Sequence, residues 1–106
     1  MKPESAPASP LMFTVYRINH KKKAIYIGYT NNIDRRCKEH NYHLKKGTMK
    51  EMYDYLRKKK VSKIVLEPLR TFKSKTEAKR FEMLMILMYH FGTYRTLNKI
   101  PNISDR

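Results

Sequence analysis

Two short β-rich runs near the start of the chain are separated by a polar segment. Residues 13–18 and 24–27 consist mainly of β-branched, aromatic and other apolar residues, which favour strands. The polar segment between them, residues 19–23, is short enough for a tight connection. The pattern therefore predicts an antiparallel hairpin, and we expect Gly28 to end its second strand.

The next segment has the spacing of an amphipathic helix. Its apolar positions recur on one face, at Ile33, Cys37 and Leu44. Thr30 or Asn31 is suited to cap the helix, because either side chain can accept a hydrogen bond from a free backbone N–H. Gly47 is a fitting end, since glycine readily adopts the left-handed conformation that closes many helices.

Three further elements are predicted beyond Gly47. Residues 49–59 have helical spacing, with apolar residues on one side at Met52, Tyr53 and Leu56. Residues 62–66 predict a third strand, which we expect Pro68 to stop. Ser74-x-x-Glu77 is a capping-box pattern ahead of a third helix. The apolar stripe of that helix comprises Ala78, Phe81, Met85 and Met88.

The order of elements is therefore strand, strand, helix, helix, strand, helix. This order predicts an α+β fold in which a small three-stranded antiparallel sheet is flanked by helices. Residues 1–10, rich in proline, serine and alanine, are expected to form a disordered tail ahead of one domain spanning residues 11–106. A chain of 106 residues has room for one modest core.

The charge balance indicates a polyanionic partner. Twenty-four Lys and Arg stand against nine Asp and Glu, for a formal net charge of +15. Cationic side chains release condensed counterions when they contact phosphates, so nucleic acid, and DNA in particular, is the expected partner. An anionic membrane surface and a basic surface without a partner are weaker interpretations. Two basic runs stand out, one at residues 57–60 and the other at Lys21, Lys22 and Lys23.

Cysteine content and hydropathy further narrow the class of protein that the sequence can encode. Cys37 is the single cysteine, so the chain has no internal disulfide or zinc ribbon, and a reducing compartment is expected. Residues 1–10 lack the apolar core of a signal peptide, so we expect an intracellular protein of the cytoplasm or nucleus. The longest apolar run, residues 83–89, is too short to cross a bilayer. It leaves room for a homodimer or protein-partner interface.

A carboxylate interrupts the apolar stripe of the third helix. At about 100° per residue, Glu82 projects between Ala78, Met85, Ile86 and Tyr89. A carboxylate in such surroundings must be paired, protonated or bound to a metal. On this residue alone, an ion pair is the commoner arrangement and a divalent cation the alternative.

Three other side-chain types suit phosphate chemistry. Arg36 and His40 lie four residues apart on the first helix, on a face adjoining its apolar stripe. Arginine can hold a phosphate through two parallel hydrogen bonds, and histidine can transfer a proton near neutral pH. Tyr16 and Tyr26 lie mid-strand in the hairpin, where tyrosine is commonly a packing residue. Near a carboxylate and an arginine, a phenol can also bind phosphate or exchange protons.

Taken together, these segments resemble the GIY-YIG nuclease family. The resemblance covers roughly residues 12–100 and rests on four matches in the right order and spacing. They are Thr14-Val15-Tyr16, Tyr26-Ile27-Gly28 with residues 29–40, the helical stretch 72–82, and Leu97-Asn98. Two positions depart from the family pattern: Thr14 stands for a glycine, and Tyr29 stands where many members have lysine or serine.

The resemblance implies a role for each matching residue. Tyr16 and Tyr26 match the two motif tyrosines, and Arg36 matches the arginine that contacts the scissile phosphate. His40 matches a histidine that some members carry one turn later. Further matches are Glu82, which would hold a single Mg²⁺ or Mn²⁺ in preference to the capping residue Glu77, and the late asparagine Asn98. The residues expected to contact nucleic acid are Gly28, Tyr29, Arg35, Lys38, Lys21, Lys22, Lys23 and Asn98.

The implied activity is metal-dependent hydrolysis of a phosphodiester bond by in-line attack of water. We expect either low intrinsic sequence specificity or dependence on a partner or dimer. One tyrosine, for which Tyr16 is the first choice, would help to deprotonate the water. A free phenol has a pKa near 10, so either its surroundings lower that pKa or it acts by hydrogen bonding. A non-catalytic nucleic-acid-binding module on the same scaffold is the alternative, and a basic assembly protein is a third.

Overall fold

A computed structural model describes residues 12–90, and its elements follow the predicted order. This confirms an α+β fold built on a three-stranded antiparallel sheet with three helices. The elements are β1 (Phe13–His20), β2 (Lys23–Thr30), α1 (Ile33–Lys46), α2 (Glu51–Lys58), β3 (Leu66–Phe72) and α3 (Lys75–His90). Across residues 12–90, no helix combines the length and apolar character needed to cross a membrane.

The hairpin is longer and tighter than its sequence pattern predicts. Only Lys21 and Lys22 form the turn, and both adopt left-handed conformations with φ of 51° and 67°. Such two-residue turns match the twist of paired strands, so the polar residues on either side continue the ladder. The prediction that β2 ends at Gly28 is also wrong: β1 pairs Thr14 with Thr30 and so extends the ladder past the glycine.

The predicted third strand is displaced along the chain. β3 begins at Leu66 and passes through Pro68, whereas the sequence favoured residues 62–66. The strand order is β2-β1-β3, so β3 lies at an edge, where a missing N–H is tolerated. Pro68 faces Tyr16 at the point where the register between β1 and β3 shifts.

A side chain replaces the expected strand partner of residues 62–65. The Asn41 amide donates to the Ile64 carbonyl oxygen at 2.9 Å and accepts from the Ile64 N–H at 2.7 Å. The Cys37 thiol donates to the same carbonyl at 3.4 Å. Ile64 is therefore bound to α1 by side-chain hydrogen bonds, and its backbone N–H and C=O groups are satisfied outside the sheet.

The ends of α1 follow ordinary capping chemistry. Asn32 is the N-cap, one residue later than predicted, and its side chain accepts from the Arg35 N–H at 3.0 Å. The Thr30 hydroxyl group instead accepts a hydrogen bond from the Asn32 N–H group. Gly47 closes the helix at φ 90°, as predicted. Arg57 donates to the Leu44 carbonyl oxygen in the last turn of α1 and to the Thr48 carbonyl oxygen just beyond the helix, so it ties α2 to the end of α1.

The sheet has a hydrophobic cluster on each face. One contains Tyr16 and Ile18 together with the predicted α2 residues Met52, Tyr53 and Leu56. The other contains Val15, Ile27, Ala78 and Ile86, with Phe81 and Met85 packed against it. The sheet thus lies between α3 and the α1–α2 pair. The prediction that Met88 belongs to the apolar stripe is wrong, because its side chain is 60% exposed and points away from the sheet. Ile86 is buried instead.

Candidate active site

One pocket of about 450 Å³ brings together residues from the hairpin, α1 and α3. Of the residues predicted for a site, the pocket is lined by Tyr16, Tyr26, Gly28, Tyr29, Arg35, Arg36 and Glu82. The strands contribute the phenols, α1 the guanidinium groups and α3 the carboxylate. Groups that are far apart in sequence therefore share one solvent-accessible space.

Gly28 is required because the Tyr16 ring crosses directly over it. The two residues pair across β1 and β2. A Cβ atom at Gly28 would lie 2.5 Å from the Tyr16 Oη and 2.7 Å from its Cζ. Glycine at this position therefore permits the close approach of the ring and does not serve a left-handed turn, since only Gly47 among the described glycines has positive φ.

His40 lies behind Tyr16 and is 1% exposed. Its Nε2 is 2.8 Å from the Tyr16 Oη and its Nδ1 is 2.9 Å from the Tyr53 Oη. The prediction of a position beside the core was therefore wrong: the two phenols satisfy both ring nitrogens, which makes full burial possible. Burial, with the nearby Arg36 charge, lowers the pKa of His40 to about 4, so the ring is neutral at neutral pH.

Both pocket phenols stay protonated at neutral pH. Burial raises the pKa of Tyr16, and the neighbouring Tyr26 adds to this while Arg36 opposes it. Burial also raises the pKa of Tyr26, where Arg36 again opposes the shift and the Glu82 carboxylate reinforces it. Of the two possibilities raised from sequence, a lowered pKa and action by hydrogen bonding, these surroundings favour the second.

A carboxylate of the same helix orients the Arg36 guanidinium. Arg36 Nη1 donates to Glu39 Oε1 at 2.9 Å, and Arg35 Nε lies 3.7 Å from Glu39 Oε2. Both arginines line the pocket together with Glu39. Glu39 is therefore engaged by two cations, while the planar guanidinium of Arg36 is held at the pocket wall.

Glu82 lies in the middle of the α3 face that packs on the sheet. It is half-buried and lines the same pocket as the two phenols. Glu77, the rival carboxylate, is exposed, is not part of the pocket lining, and its N–H donates to Ser74 Oγ at 3.3 Å as the capping pattern predicts. This geometry favours Glu82 over Glu77 as the residue that could hold a cation.

The carboxylate oxygens of the pocket are suited to a weakly held hard cation. Among residues 12–90, no group of three or more His, Cys, Asp or Glu residues could hold a metal by protein ligands alone. Mg²⁺ commonly uses one or two carboxylates and completes its shell with water and substrate phosphate. Two carboxylates, Glu39 and Glu82, line the pocket, so its lining meets that requirement.

Lys75 and Glu39 also line the pocket, although neither was singled out from the sequence. Lys75 is the first residue of α3, where a positive charge opposes the helix dipole. That local conflict was the available signal, since a residue that breaks a local rule often serves a site. Glu39 was detectable as a partner three residues after Arg36.

The other predicted contacts lie away from the pocket. Lys21 and Lys22 form the hairpin turn, and Lys23 follows them, all three exposed. Gly28 lies six positions after Lys22, a distance along the strand of roughly 20 Å. Lys38 lies on the exposed side of α1. Asn98 falls outside the described residues, as do the predicted tail and Leu97.

Comparison with known families agrees with this arrangement. The family model described as the GIY-YIG catalytic domain matches residues 12–98, which is most of the chain. The protein therefore belongs to the GIY-YIG family, a family of endonucleases. Searches among curated proteins and among solved structures found no match.

Adding one methyl group at Gly28 should disturb the pocket selectively. In Gly28→Ala the Tyr16 ring must move, so we expect about 1–3 kcal/mol of destabilisation in urea unfolding and a changed His40 ring signal in NMR. Gly47→Ala is the control: its Cβ meets nothing within 4 Å, although its φ of 90° costs stability. An unchanged His40 signal in Gly28→Ala would contradict the close contact.

Burial of neutral His40 should make stability depend on pH. Between its ordinary pKa near 6.5 and the folded value of about 4, the unfolded chain takes up a proton that the folded protein does not. The free energy of unfolding should therefore fall by about 2 kcal/mol from pH 7 to pH 5 on this account. His40→Gln should lack this component. Urea titrations at both pH values test it, and an equal decline in both proteins would refute it.

Proposed function

We propose that this protein is a divalent-metal-dependent endonuclease that hydrolyses phosphodiester bonds in DNA by in-line attack of water. One observation carries the proposal: a carboxylate, a guanidinium group and two phenols from three parts of the chain line a single pocket. A site that only bound phosphate would be weakened by Glu82, because a carboxylate repels the phosphate. Its presence is expected where a cation and a reaction are also involved.

Arg36 is the proposed ligand of the scissile phosphate. Its planar fork suits two phosphate oxygens, and its contact with Glu39 fixes the orientation before the substrate arrives. Arg35 and Lys75 place further positive charge on the pocket wall. These cations would stabilise the charge that builds on the phosphoryl oxygens in the transition state.

Glu82 is the proposed carboxylate ligand. It would hold Mg²⁺ or Mn²⁺, whose charge stabilises the departing oxygen. Tyr16 and Tyr26 remain phenols, so their proposed part is to orient the attacking water and a phosphate oxygen by hydrogen bonds. Tyr16 is the better candidate for the water because His40 Nε2 already fixes its hydroxyl group.

The exposed face of α1 is the proposed binding surface for the nucleic-acid backbone. Its positively charged residues share one side of the helix with Tyr42, which is 59% exposed and has the Lys46 Nζ 5.4 Å above its ring. The stripe consists of Arg35, Lys38, Tyr42, Lys45 and Lys46, and Arg35 joins it to the pocket. Lys21, Lys22 and Lys23 would contact phosphates about six base pairs further away.

Removing the carboxylate should abolish cleavage while preserving binding. We expect the wild-type protein to nick supercoiled plasmid with Mg²⁺ or Mn²⁺ but not with EDTA. Glu82→Gln should nick at least about 100-fold more slowly, because the cation loses its protein ligand. Its DNA affinity in EDTA should be equal or higher, since a negative charge has been removed.

Glu77→Gln is the matched control, because it makes the same change on the same helix outside the pocket. It should nick like the wild type. If the wild-type protein binds DNA and nicks with neither metal, the non-catalytic binding module is the correct function. If Glu82→Gln nicks at the wild-type rate, Glu82 is not the metal ligand.

The α1 stripe predicts a specific salt dependence. Each phosphate contact adds about 0.9 to the slope of log affinity against log salt concentration. Lys38→Gln with Lys45→Gln should therefore lower the slope by about 2. Lys63→Gln with Lys79→Gln removes the same charge from exposed positions outside the stripe. Fluorescence-anisotropy titrations should give different slopes for the two double variants, and equal slopes would show that only total charge matters.

A further inference from the structure

The His40 ring joins two hydroxyl groups that come from different layers of the fold. Its Nε2 lies 2.8 Å from the Tyr16 Oη in β1, and its Nδ1 lies 2.9 Å from the Tyr53 Oη in α2. All three residues are at most 4% exposed. Tyr53 lies outside every motif that carried the family resemblance, and it does not line the pocket.

A neutral imidazole makes these two hydrogen bonds dependent on each other. One ring nitrogen carries the proton and donates, while the other accepts. If Nδ1 donates to the Tyr53 Oη, Nε2 must accept the proton of the Tyr16 hydroxyl group. If Tyr53 instead donates to Nδ1, Nε2 donates to Tyr16. The hydrogen-bond direction at Tyr53 therefore sets the direction at Tyr16.

We propose that Tyr53 is a positioning residue for the reaction: by accepting from the His40 Nδ1–H group it leaves Nε2 to accept from the Tyr16 O–H group, so that the Tyr16 oxygen presents a lone pair to the attacking water. This inference rests on the proposed function, because Tyr16 must face a reacting water for its orientation to matter. In this arrangement the Tyr53 Oη is the acceptor of the Nδ1–H group. Tyr53 itself touches neither the water nor the phosphate.

Removing the Tyr53 hydroxyl should reverse the direction of the bond at Tyr16. In Tyr53→Phe the ring still fills its buried space, but Nδ1–H would have no acceptor, and an unpaired buried N–H is costly. The imidazole proton should therefore move to Nε2 and donate to Tyr16. The Tyr16 proton would then point into the pocket, where the water needs an acceptor.

Kinetics distinguish this role from simple packing. With plasmid substrate and Mg²⁺, Tyr53→Phe should lower kcat about 10- to 100-fold, because the Tyr16 oxygen no longer orients the attacking water. KM should change by less than about twofold, since substrate binding is not involved. Tyr55→Phe is the matched control: it is also in α2, and its hydroxyl lies 3.4 Å from His20 Nδ1. It should keep the wild-type kcat.

The ¹⁵N chemical shifts of the His40 ring give a readout that does not depend on activity. At pH 7 the wild-type protein should carry the proton on Nδ1, and Tyr53→Phe should carry it on Nε2. In a His40→Gln background, Tyr53→Phe should cause no further loss of kcat, because its effect passes through His40.

Two results overturn the inference: the same tautomer in both proteins, or an equal loss of kcat from Tyr53→Phe with and without His40. A purely structural role would lower stability and leave the tautomer unchanged. Absence of nicking by the wild-type protein would instead refute the proposed function, and the role of Tyr53 in it. Wild-type nicking with an unchanged tautomer refutes only the role of Tyr53.

Discussion

The passage of the Tyr16 ring across Gly28 is the contact on which the rest of the site depends. Only a residue without a Cβ leaves room for the ring, and this placement brings the hydroxyl group into the layer of α1 and α2. A buried hydroxyl needs a partner, which His40 supplies. With His40 held against the sheet, Arg36, one helical turn earlier, faces the pocket, where α3 brings Glu82.

The site combines a rigid interior with a charged opening. Tyr16, His40 and Tyr53 are buried, uncharged at neutral pH and linked by two hydrogen bonds to the His40 ring, so they define geometry without adding charge. The opening has the opposite character, with Arg35, Arg36 and Lys75 around the carboxylates. This division suits phosphodiester chemistry, in which the protein positions water and phosphate while cations stabilise developing charge.

Local sequence patterns correctly predicted the order of elements, the end of α1 at Gly47 and the apolar face of α2. These three features depend on residues that are neighbours in the sequence. Features that depend on distant partners were missed. The position of β3 depends on Asn41, which satisfies Ile64 outside the sheet. The burial of His40 depends on two tyrosines 24 and 13 residues away. The family motifs predicted the shared pocket, because they encode such distant proximity.

The most direct measurement is the position of a bound divalent ion. Mn²⁺ added to ¹⁵N-labelled protein with a short DNA duplex broadens the NMR signals of nearby residues. Broadening should centre on Glu82, Tyr26 and Arg36, should be weak at the hairpin turn, and should disappear in Glu82→Gln. Broadening centred on Glu77, or on the acidic residues of α2, would contradict a reaction centre between α1, α3 and the hairpin.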